Sequence, residues 1–142
     1  ETTDIQEVMR QSVKSVKALG DVKGIGFRVE GDCSCKGYLD KEKLTRAIIN
    51  ILSNGIRYAE KEIRINCKAY GHYLEILIID DGNGFEMGEE NKVFERFYSG
   101  EEGGTGIGLA ITKAIIEGHK GQIEAYNAIP KGAAFKIMFP TV

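Results

Sequence analysis

The sequence predicts an α+β domain, a two-layer α/β sandwich in which a mixed, mostly antiparallel sheet of about five strands is backed by three helices. Apolar residues recur at helical spacing in segments that begin near residues 4, 40 and 106. Short stretches between and after these segments alternate apolar with polar residues, as strands with one buried face do. An amphipathic helix must bury its apolar stripe, and the apolar face of a sheet can cover it.

Length and charge narrow the possible functions. With 142 residues, 19 basic and 21 acidic side chains, we expect one domain over residues 1–142 that contacts neither nucleic acid nor membrane. No apolar run reaches the ~18 residues of a spanning helix, and no signal peptide is present, so we expect a cytoplasmic location. The three cysteines, Cys33, Cys35 and Cys67, lack a fourth zinc ligand nearby and are expected to be reduced thiols.

The first two helices follow from their caps and their apolar spacing. Thr3 or Asp4 can cap a first helix that runs to Gly20, and a strand with alternating apolar residues follows over 25–29. Asp40 can cap a second helix that runs to about Ala59. The apolar stripes of the two helices consist of Ile5, Val8, Met9, Val13, Val16 and Leu19, and of Leu44, Ala47, Ile48, Ile51 and Gly55.

The second helix carries polar side chains beside its apolar stripe. Asn50, Asn54 and Arg57 fall within an arc of ~60° on the border of that stripe. They are either a solvated flank or a ligand-facing edge. In the second interpretation the amide oxygens suit a hard cation and the guanidinium suits phosphate.

A short apolar run ends abruptly in two carboxylates and two glycines. The residues 63–69 and 73–80 alternate around a Gly71-His72 turn, which predicts a hairpin. Its second strand leads into the stretch ILIIDDGNGF, where Asp80 closes a buried strand and Gly82 and Gly84 allow close backbone approach. A carboxylate in that position can present one acceptor inside a pocket, although Asp-Gly is also common in ordinary turns.

A glycine-rich loop leads directly into the third helix. Residues 103–109 read GGTGIGL, and Ile107, Ala110, Ile111, Ala114, Ile115 and Gly118 follow at helical spacing. Backbone N–H groups at such a helix start form an anion cradle. The loop matches neither the P-loop nor the dinucleotide fingerprint. His119 is expected to cap this helix, and a hairpin over 122–139 closes the fold.

The segment 87–102 has weak periodicity and is predicted to be a connecting loop of the kind that forms a mobile lid. Within it, Phe94, Phe97 and Tyr98 surround Arg96. This aromatic cluster is either an anchor onto the body of the domain or a patch that binds a partner.

Together these stretches resemble the catalytic and ATP-binding domain of bacterial sensor histidine kinases, within the GHKL ATPase superfamily. LTRAIINILSNGIRYA is similar to the N box, DDGNGF to the first glycine box, FERFYSG to the phenylalanine box and GGTGIGLAI to the second glycine box. The resemblance implies the Bergerat ATP-binding fold, with ATP and Mg²⁺ as cofactors. It also implies that the chain is a fragment of a longer kinase whose phosphoacceptor histidine lies on a separate dimerisation domain, upstream of a response regulator.

The resemblance also implies roles for individual residues. Asn50 and Asn54 are the catalytic N-box residues, and Asn54 is the Mg²⁺ ligand. Asp80 accepts a hydrogen bond from the adenine amine. The other expected nucleotide contacts are Arg57, Tyr58, Gly82, Gly84, Phe97, Gly104, Thr105, Gly106, Ile107, Gly108 and Leu109.

The subfamily is indicated by Asn50, which stands where gyrase-like ATPases would require a glutamate to activate water. An amide cannot take that proton, so the site is expected to serve phosphoryl transfer to a histidine rather than hydrolysis. Ala133 stands where the family usually has threonine near the adenine. Two alternatives stay open: a degenerate domain that works as a regulatory interaction module, and a protein-serine kinase of the anti-sigma type.

Overall fold

The computed structural model describes residues 2–95 and 108–142, and within these ranges three α-helices lie against one face of a five-stranded sheet. None of the helices in these ranges is both long and apolar enough to cross a bilayer. The elements are β1 (Thr3–Asp4), α1 (Ile5–Lys23), β2 (Gly26–Gly31), β3 (Lys36–Gly37), α2 (Lys41–Tyr58), β4 (Glu62–Tyr70), β5 (Tyr73–Asp80), α3 (Gly108–Gly118), β6 (Gln122–Asn127) and β7 (Ala133–Pro140).

The sheet has the strand order β2-β4-β5-β7-β6, with β2 parallel to β4 and the other neighbours antiparallel. This confirms the predicted two-layer α+β sandwich with a mixed, mostly antiparallel sheet. Burial alternates along β5, where Leu74, Ile76 and Ile78 face the helices and lie in the core. The period of two along a strand therefore sends Asp80 to the same side as these core residues.

The helices α1 and α2 begin where their caps predict, but α1 ends one turn later than Gly20. Asp4 accepts the N–H of Gln6 at 3.0 Å, and α1 continues to Lys23 before Gly24 takes a left-handed φ of 72°. Gly20 lies inside the helix, and the backbone just before β2 packs against it. A Cβ at Gly20 would lie 3.0 Å from the carbonyl oxygen of Ile25. The glycine serves close packing rather than termination.

The helix α2 is the centre of the helical layer, and α3 packs on it through an unexpected face. Leu44, Ile48 and Ile51 of α2 are fully buried, as the stripe predicts. On α3 the buried residues are Thr112 and Ile116, whereas Ala114 and Gly118, which follow the predicted helical spacing, are exposed. The spacing therefore predicts the helix but not its buried face, where a threonine hydroxyl that bonds to backbone carbonyls is buried.

The expectation of three reduced cysteines is also wrong. Cys33 and Cys67 form a disulfide with 5.3 Å between their Cα atoms, and only Cys35 is a free thiol. The parallel pairing of β2 with β4 sets Gly31 opposite Cys67, so the chain that leaves β2 carries Cys33 to its partner. Burial raises the pKa of the Cys35 thiol, and the charges of Asp32 and Asp4 raise it further.

Reduction of this disulfide is expected to destabilise the domain. The bond closes a loop of 34 residues, for which the loss of chain entropy in the unfolded state corresponds to about 2–4 kcal/mol. Urea denaturation of the wild type with and without a dithiol reductant measures the difference. Cys67→Ser should match the reduced protein and ignore the reductant, while Cys35→Ser should match the wild type. Equal midpoints for oxidised and reduced wild type would show that the two thiols are not bonded in solution.

Candidate functional site

The buried carboxylate of Asp80 is fixed by the backbone around it. Asp80 ends β5 and is 4% exposed, and its Oδ1 accepts the N–H of Gly82 at 2.8 Å and the N–H of Ala133 at 3.2 Å. Among the described residues, no donor is bonded to Oδ2. Burial raises the pKa of Asp80, although the bonds from Gly82 and Ala133 oppose that shift. Asp80 is therefore an oriented acceptor with one oxygen to offer.

Two glycines bring backbone segments into contact around Asp80. A Cβ on Gly82 would overlap the carbonyl oxygen of Tyr58 and would lie 3.0 Å from its carbonyl carbon, so only glycine lets this turn pass the end of α2. Gly132 has a φ of 106°, and a Cβ on this residue would overlap the carbonyl oxygen of Asp80. The sequence predicts a role for Gly82, but Gly132 has only the local signal of an ordinary turn residue.

The neighbouring carboxylate of Asp81 has a different function. It accepts the backbone N–H groups of Glu60, Lys61 and Glu62 at 2.7–3.3 Å. Burial raises the pKa of Asp81, but these hydrogen bonds outweigh burial and the net shift is downward. Asp81 therefore fastens the connection between α2 and β4, a role for which the sequence gives no signal.

The first glycine box is also held from the β6 side. Asn127 at the end of β6 accepts the N–H of Phe85 at 2.6 Å and donates to the Phe85 carbonyl at 3.0 Å. Gly84 precedes this clasp with a φ of 80°, and a Cβ there would come within 2.6 Å of the Asn127 amide oxygen. Because the clasp joins residues 42 apart in sequence, Asn127 could not be found from local pattern.

The polar edge of α2 contacts both the start of α3 and the turn that follows Asp80. The Asn50 Nδ2 donates to the carbonyl of Gly108 at 3.2 Å, which joins α2 to the start of α3. One turn later Asn54 is half-buried, and its amide makes no hydrogen bond within the described residues. Arg57 is exposed and Tyr58 half-buried, and the Tyr58 carbonyl lies against Gly82. This edge of α2 is thus connected to the start of α3 through Asn50 and to the turn after Asp80 through Tyr58.

The remaining site predictions divide at the start of α3. Gly108 and Leu109 form its first turn and are half-buried. The predicted contacts Phe97, Gly104, Thr105, Gly106 and Ile107, together with Arg96 and Tyr98 of the aromatic cluster, lie outside the described residues.

The described part of the aromatic segment packs onto the body of the domain. Phe94 is half-buried, and its ring meets Phe135 edge to face at 6.0 Å. The ammonium group of Lys113 lies 5.6 Å from the centre of the Phe94 ring. For Phe94 the interpretation as an anchor is confirmed.

His119 holds the other end of α3. Its Nδ1 lies 2.7 Å from the carbonyl of Ile115, and its Nε2 accepts the N–H of Asp40 at 3.1 Å. The predicted capping role of His119 is confirmed, and this side chain also ties the end of α3 to the start of α2.

Comparisons with known proteins agree with this geometry. The family model described as histidine kinase-, DNA gyrase B-, and HSP90-like ATPase matches residues 39–142. Sporulation kinase B of Bacillus subtilis is 30% identical over 143 residues, which cover 99% of this chain and 33% of that protein. The chain therefore spans about a third of the length of this curated relative.

Solved structures give the same assignment. The mycobacterial sensor histidine kinase MprB superposes with a TM-score of 0.90 at 28% identity, over 99% of this chain and 98% of the solved one. The catalytic domain of the histidine kinase ThkA shares the fold, with a TM-score of 0.89 at 22% identity over 99% and 94% of the two chains. The chain therefore belongs to the family of histidine kinase-, DNA gyrase B-, and HSP90-like ATPases, as a catalytic domain of the sensor histidine kinase type.

Proposed function

We propose that the chain binds ATP with Mg²⁺ and, within a longer sensor kinase, presents the γ-phosphate to a histidine on a separate dimerisation domain. The observation that carries this proposal is the anchored carboxylate of Asp80, with one oxygen bonded to two backbone N–H groups. That carboxylate lies on the same side as the core, next to the polar edge of α2. The chemistry of the neighbouring groups matches the other parts of a nucleotide.

The base end of the site consists of Asp80 and the turn that follows it. The adenine amine is a donor, and Oδ2 of Asp80 is an acceptor with no other bond among the described residues. Guanine carries a carbonyl oxygen at the corresponding ring position, which would meet the carboxylate as a second acceptor. The site should therefore prefer adenine. Gly82 and Gly84 allow the backbone to lie close to the base.

The phosphate end is formed by α2 and by the start of α3. Mg²⁺ prefers oxygen ligands and binds to one or two protein groups plus phosphate and water. The amide of Asn54, which makes no hydrogen bond within residues 2–95 and 108–142, fits that requirement. When bound, the ion would neutralise phosphate charge. Arg57 and Tyr58 follow Asn54 one turn later on α2 and would contact the phosphates and the nucleotide. The backbone N–H groups of Gly108 and Leu109 at the start of α3 would bind phosphate oxygens, together with those of the preceding loop residues Gly104, Thr105, Gly106 and Ile107.

Transfer is favoured over hydrolysis by the chemistry of Asn50. An amide is not basic enough to take a proton from water. The NH₂ group of Asn50 already donates a hydrogen bond to the carbonyl oxygen of Gly108. Catalysis would then rest on positioning and charge neutralisation, as is usual for phosphoryl transfer. The partners would be the phosphoacceptor histidine domain and, downstream, a response regulator.

The test of the metal assignment is Asn54→Ala. Calorimetric titration with a non-hydrolysable ATP analogue should show that Mg²⁺ strengthens binding to the wild type and no longer does so in the variant. The expected loss in the presence of Mg²⁺ is about 10–100-fold, the range for one charge-assisted contact of roughly 1.5–3 kcal/mol. Asn66→Ala, which removes an exposed amide from β4, is the matched control and should keep the Mg²⁺ effect. An unchanged Mg²⁺ effect in Asn54→Ala would remove Asn54 from the metal site.

The reaction itself is tested in the parent kinase with ATP labelled in the γ-phosphate. Label that is lost in acid and kept in base is expected, because the phosphoramidate of a histidine hydrolyses in acid. Label that survives acid would support a protein-serine kinase instead. Nucleotide binding without any labelled protein would favour the regulatory interaction module.

A further inference from the structure

A buried hydroxyl lies in the interface between α2 and α3. Thr112 is fully buried, and its Oγ1 lies 3.0 Å from the carbonyl oxygen of Gly108 and 3.3 Å from that of Ala47. A hydroxyl has one proton, so Thr112 shares it between the first turn of α3 and the backbone of α2. A valine of nearly the same volume would fill this position without the hydrogen bond.

The carbonyl oxygen of Gly108 accepts hydrogen bonds from side chains of two helices. Thr112 approaches from within α3, and the Nδ2 of Asn50 approaches from α2 at 3.2 Å. In an ordinary helix this carbonyl needs only the N–H four residues ahead. Two additional donors in a partly buried interface restrict the orientation of the Gly108 carbonyl more than the helix alone would.

The orientation of that carbonyl has a consequence for the other side of the same peptide group. The peptide unit is planar and trans, so the N–H of Leu109 points opposite to the carbonyl of Gly108. Holding the carbonyl toward α2 aims the Leu109 N–H away from it. This N–H lies in the first described turn of α3 and points toward the N-terminal end of that helix, where backbone N–H groups can bind an anion.

We propose that Thr112 is a positioning residue for the phosphate end of the nucleotide site and acts through the peptide group between Gly108 and Leu109. The inference rests on the proposed nucleotide binding and assigns Thr112 to the phosphates rather than to the base. Its effect should therefore grow with the number of phosphates on the ligand and vanish for the nucleoside.

The chain offers a matched control on the opposite side of α2. Ser12 of α1 is also fully buried, donates to the carbonyl of Val8 four residues back at 2.7 Å, and lies 3.5 Å from the carbonyl of Thr45 in α2. It repeats the chemistry of Thr112 without any contact to the start of α3. Removing either hydroxyl should affect stability comparably, whereas only one should affect phosphate binding.

The experiment compares Thr112→Val, Thr112→Ser and Ser12→Ala by calorimetric titration with adenosine and with a non-hydrolysable ATP analogue in Mg²⁺, and by urea denaturation. Thr112→Val should weaken ATP-analogue binding about 3–10-fold, as for one hydrogen bond, and leave adenosine affinity unchanged. Thr112→Ser should keep both wild-type affinities, and so should Ser12→Ala. If Thr112→Val does not fold, Thr112→Ala also removes the hydroxyl. It should likewise weaken binding of the ATP analogue and leave adenosine affinity unchanged.

The ratio of the two affinities decides the outcome. Equal weakening of adenosine and the ATP analogue in the hydroxyl-deletion variants, or no weakening of either, would make Thr112 structural only and would overturn the inference while the proposed function stands. A folded wild type that binds neither ligand would overturn the proposed function, and this inference with it.

Discussion

Asp80→Asn is expected to weaken the binding of adenine nucleotides by about 100-fold, since a hydrogen bond to a charged group contributes roughly 1.5–3 kcal/mol and its loss here is compounded by donor facing donor. The asparagine oxygen can still accept the N–H groups of Gly82 and Ala133. Its NH₂ group then replaces Oδ2 and opposes the adenine amine. Calorimetric titration with a non-hydrolysable ATP analogue measures the loss.

The same variant should be as stable as the wild type or more so. Because burial raises the pKa of Asp80 above its ordinary value, the folded state favours the neutral carboxyl, and the ionised form at neutral pH lowers stability. This unfavourable contribution appears as the pH rises through the raised pKa. In the other direction, nucleotide affinity should fall as the pH drops through that pKa and the acceptor is protonated. Asp80→Asn should remove both pH dependences.

The control for this prediction is Asp81→Asn. Asp81 has a lowered pKa, so its clasp on residues 60–62 stabilises the fold above the ordinary pKa of an aspartate and is lost as the pH falls through the lowered value. The asparagine can replace only part of this clasp and should lower the free energy of unfolding. Nucleotide affinity should change little while the variant is folded. Loss of nucleotide binding in Asp81→Asn but not in Asp80→Asn would exchange the roles of the two carboxylates.

Gly82→Ala is expected to impair stability and binding together. The added methyl would overlap the Tyr58 carbonyl oxygen and approach Oδ1 of Asp80 to 3.1 Å. The turn or the end of α2 must move, at a cost of about 1–3 kcal/mol in unfolding free energy, and either movement disturbs Asp80 or Tyr58. Urea denaturation and nucleotide titration on the same preparation measure the two effects.

Gly118→Ala is the matched glycine variant. Gly118 ends α3, and a Cβ there would have no neighbour within 4 Å in the part of the chain that the structure describes. Alanine should leave nucleotide affinity unchanged and alter stability by no more than ~1 kcal/mol, in the stabilising direction. If Gly82→Ala behaved like Gly118→Ala, the close approach between the turn and α2 would not be needed for the site.

Features that depend on a single segment of the chain could be predicted from its local sequence pattern. The buried position of Asp80 was predictable because this residue ends a short apolar run that is typical of a buried strand. The edge of α2 was predictable because helical spacing places Asn50, Asn54 and Arg57 together. The caps at Asp4 and Asp40 have local signatures of the same kind.

What local pattern could not supply are the contacts made between distant segments. The clasp of Asn127 on Phe85, the bond from Ala133 to Asp80 and the pairing of Cys33 with Cys67 each depend on strand register. The different roles of Asp80 and Asp81 likewise depend on a distant segment, because Asp81 bonds to the backbone of the loop after α2. Thr112 was overlooked because a polar residue on a helix is ordinarily assigned to the solvent side.

The most direct test of adenine-nucleotide binding is calorimetric titration of the wild-type chain with a non-hydrolysable ATP analogue in Mg²⁺, in parallel with the matching GTP analogue. We expect saturable binding of the ATP analogue at one site per chain, in the micromolar range, which corresponds to about −8 kcal/mol, and much weaker binding of the GTP analogue. A folded chain that shows no heat with either nucleotide at millimolar concentration would contradict it.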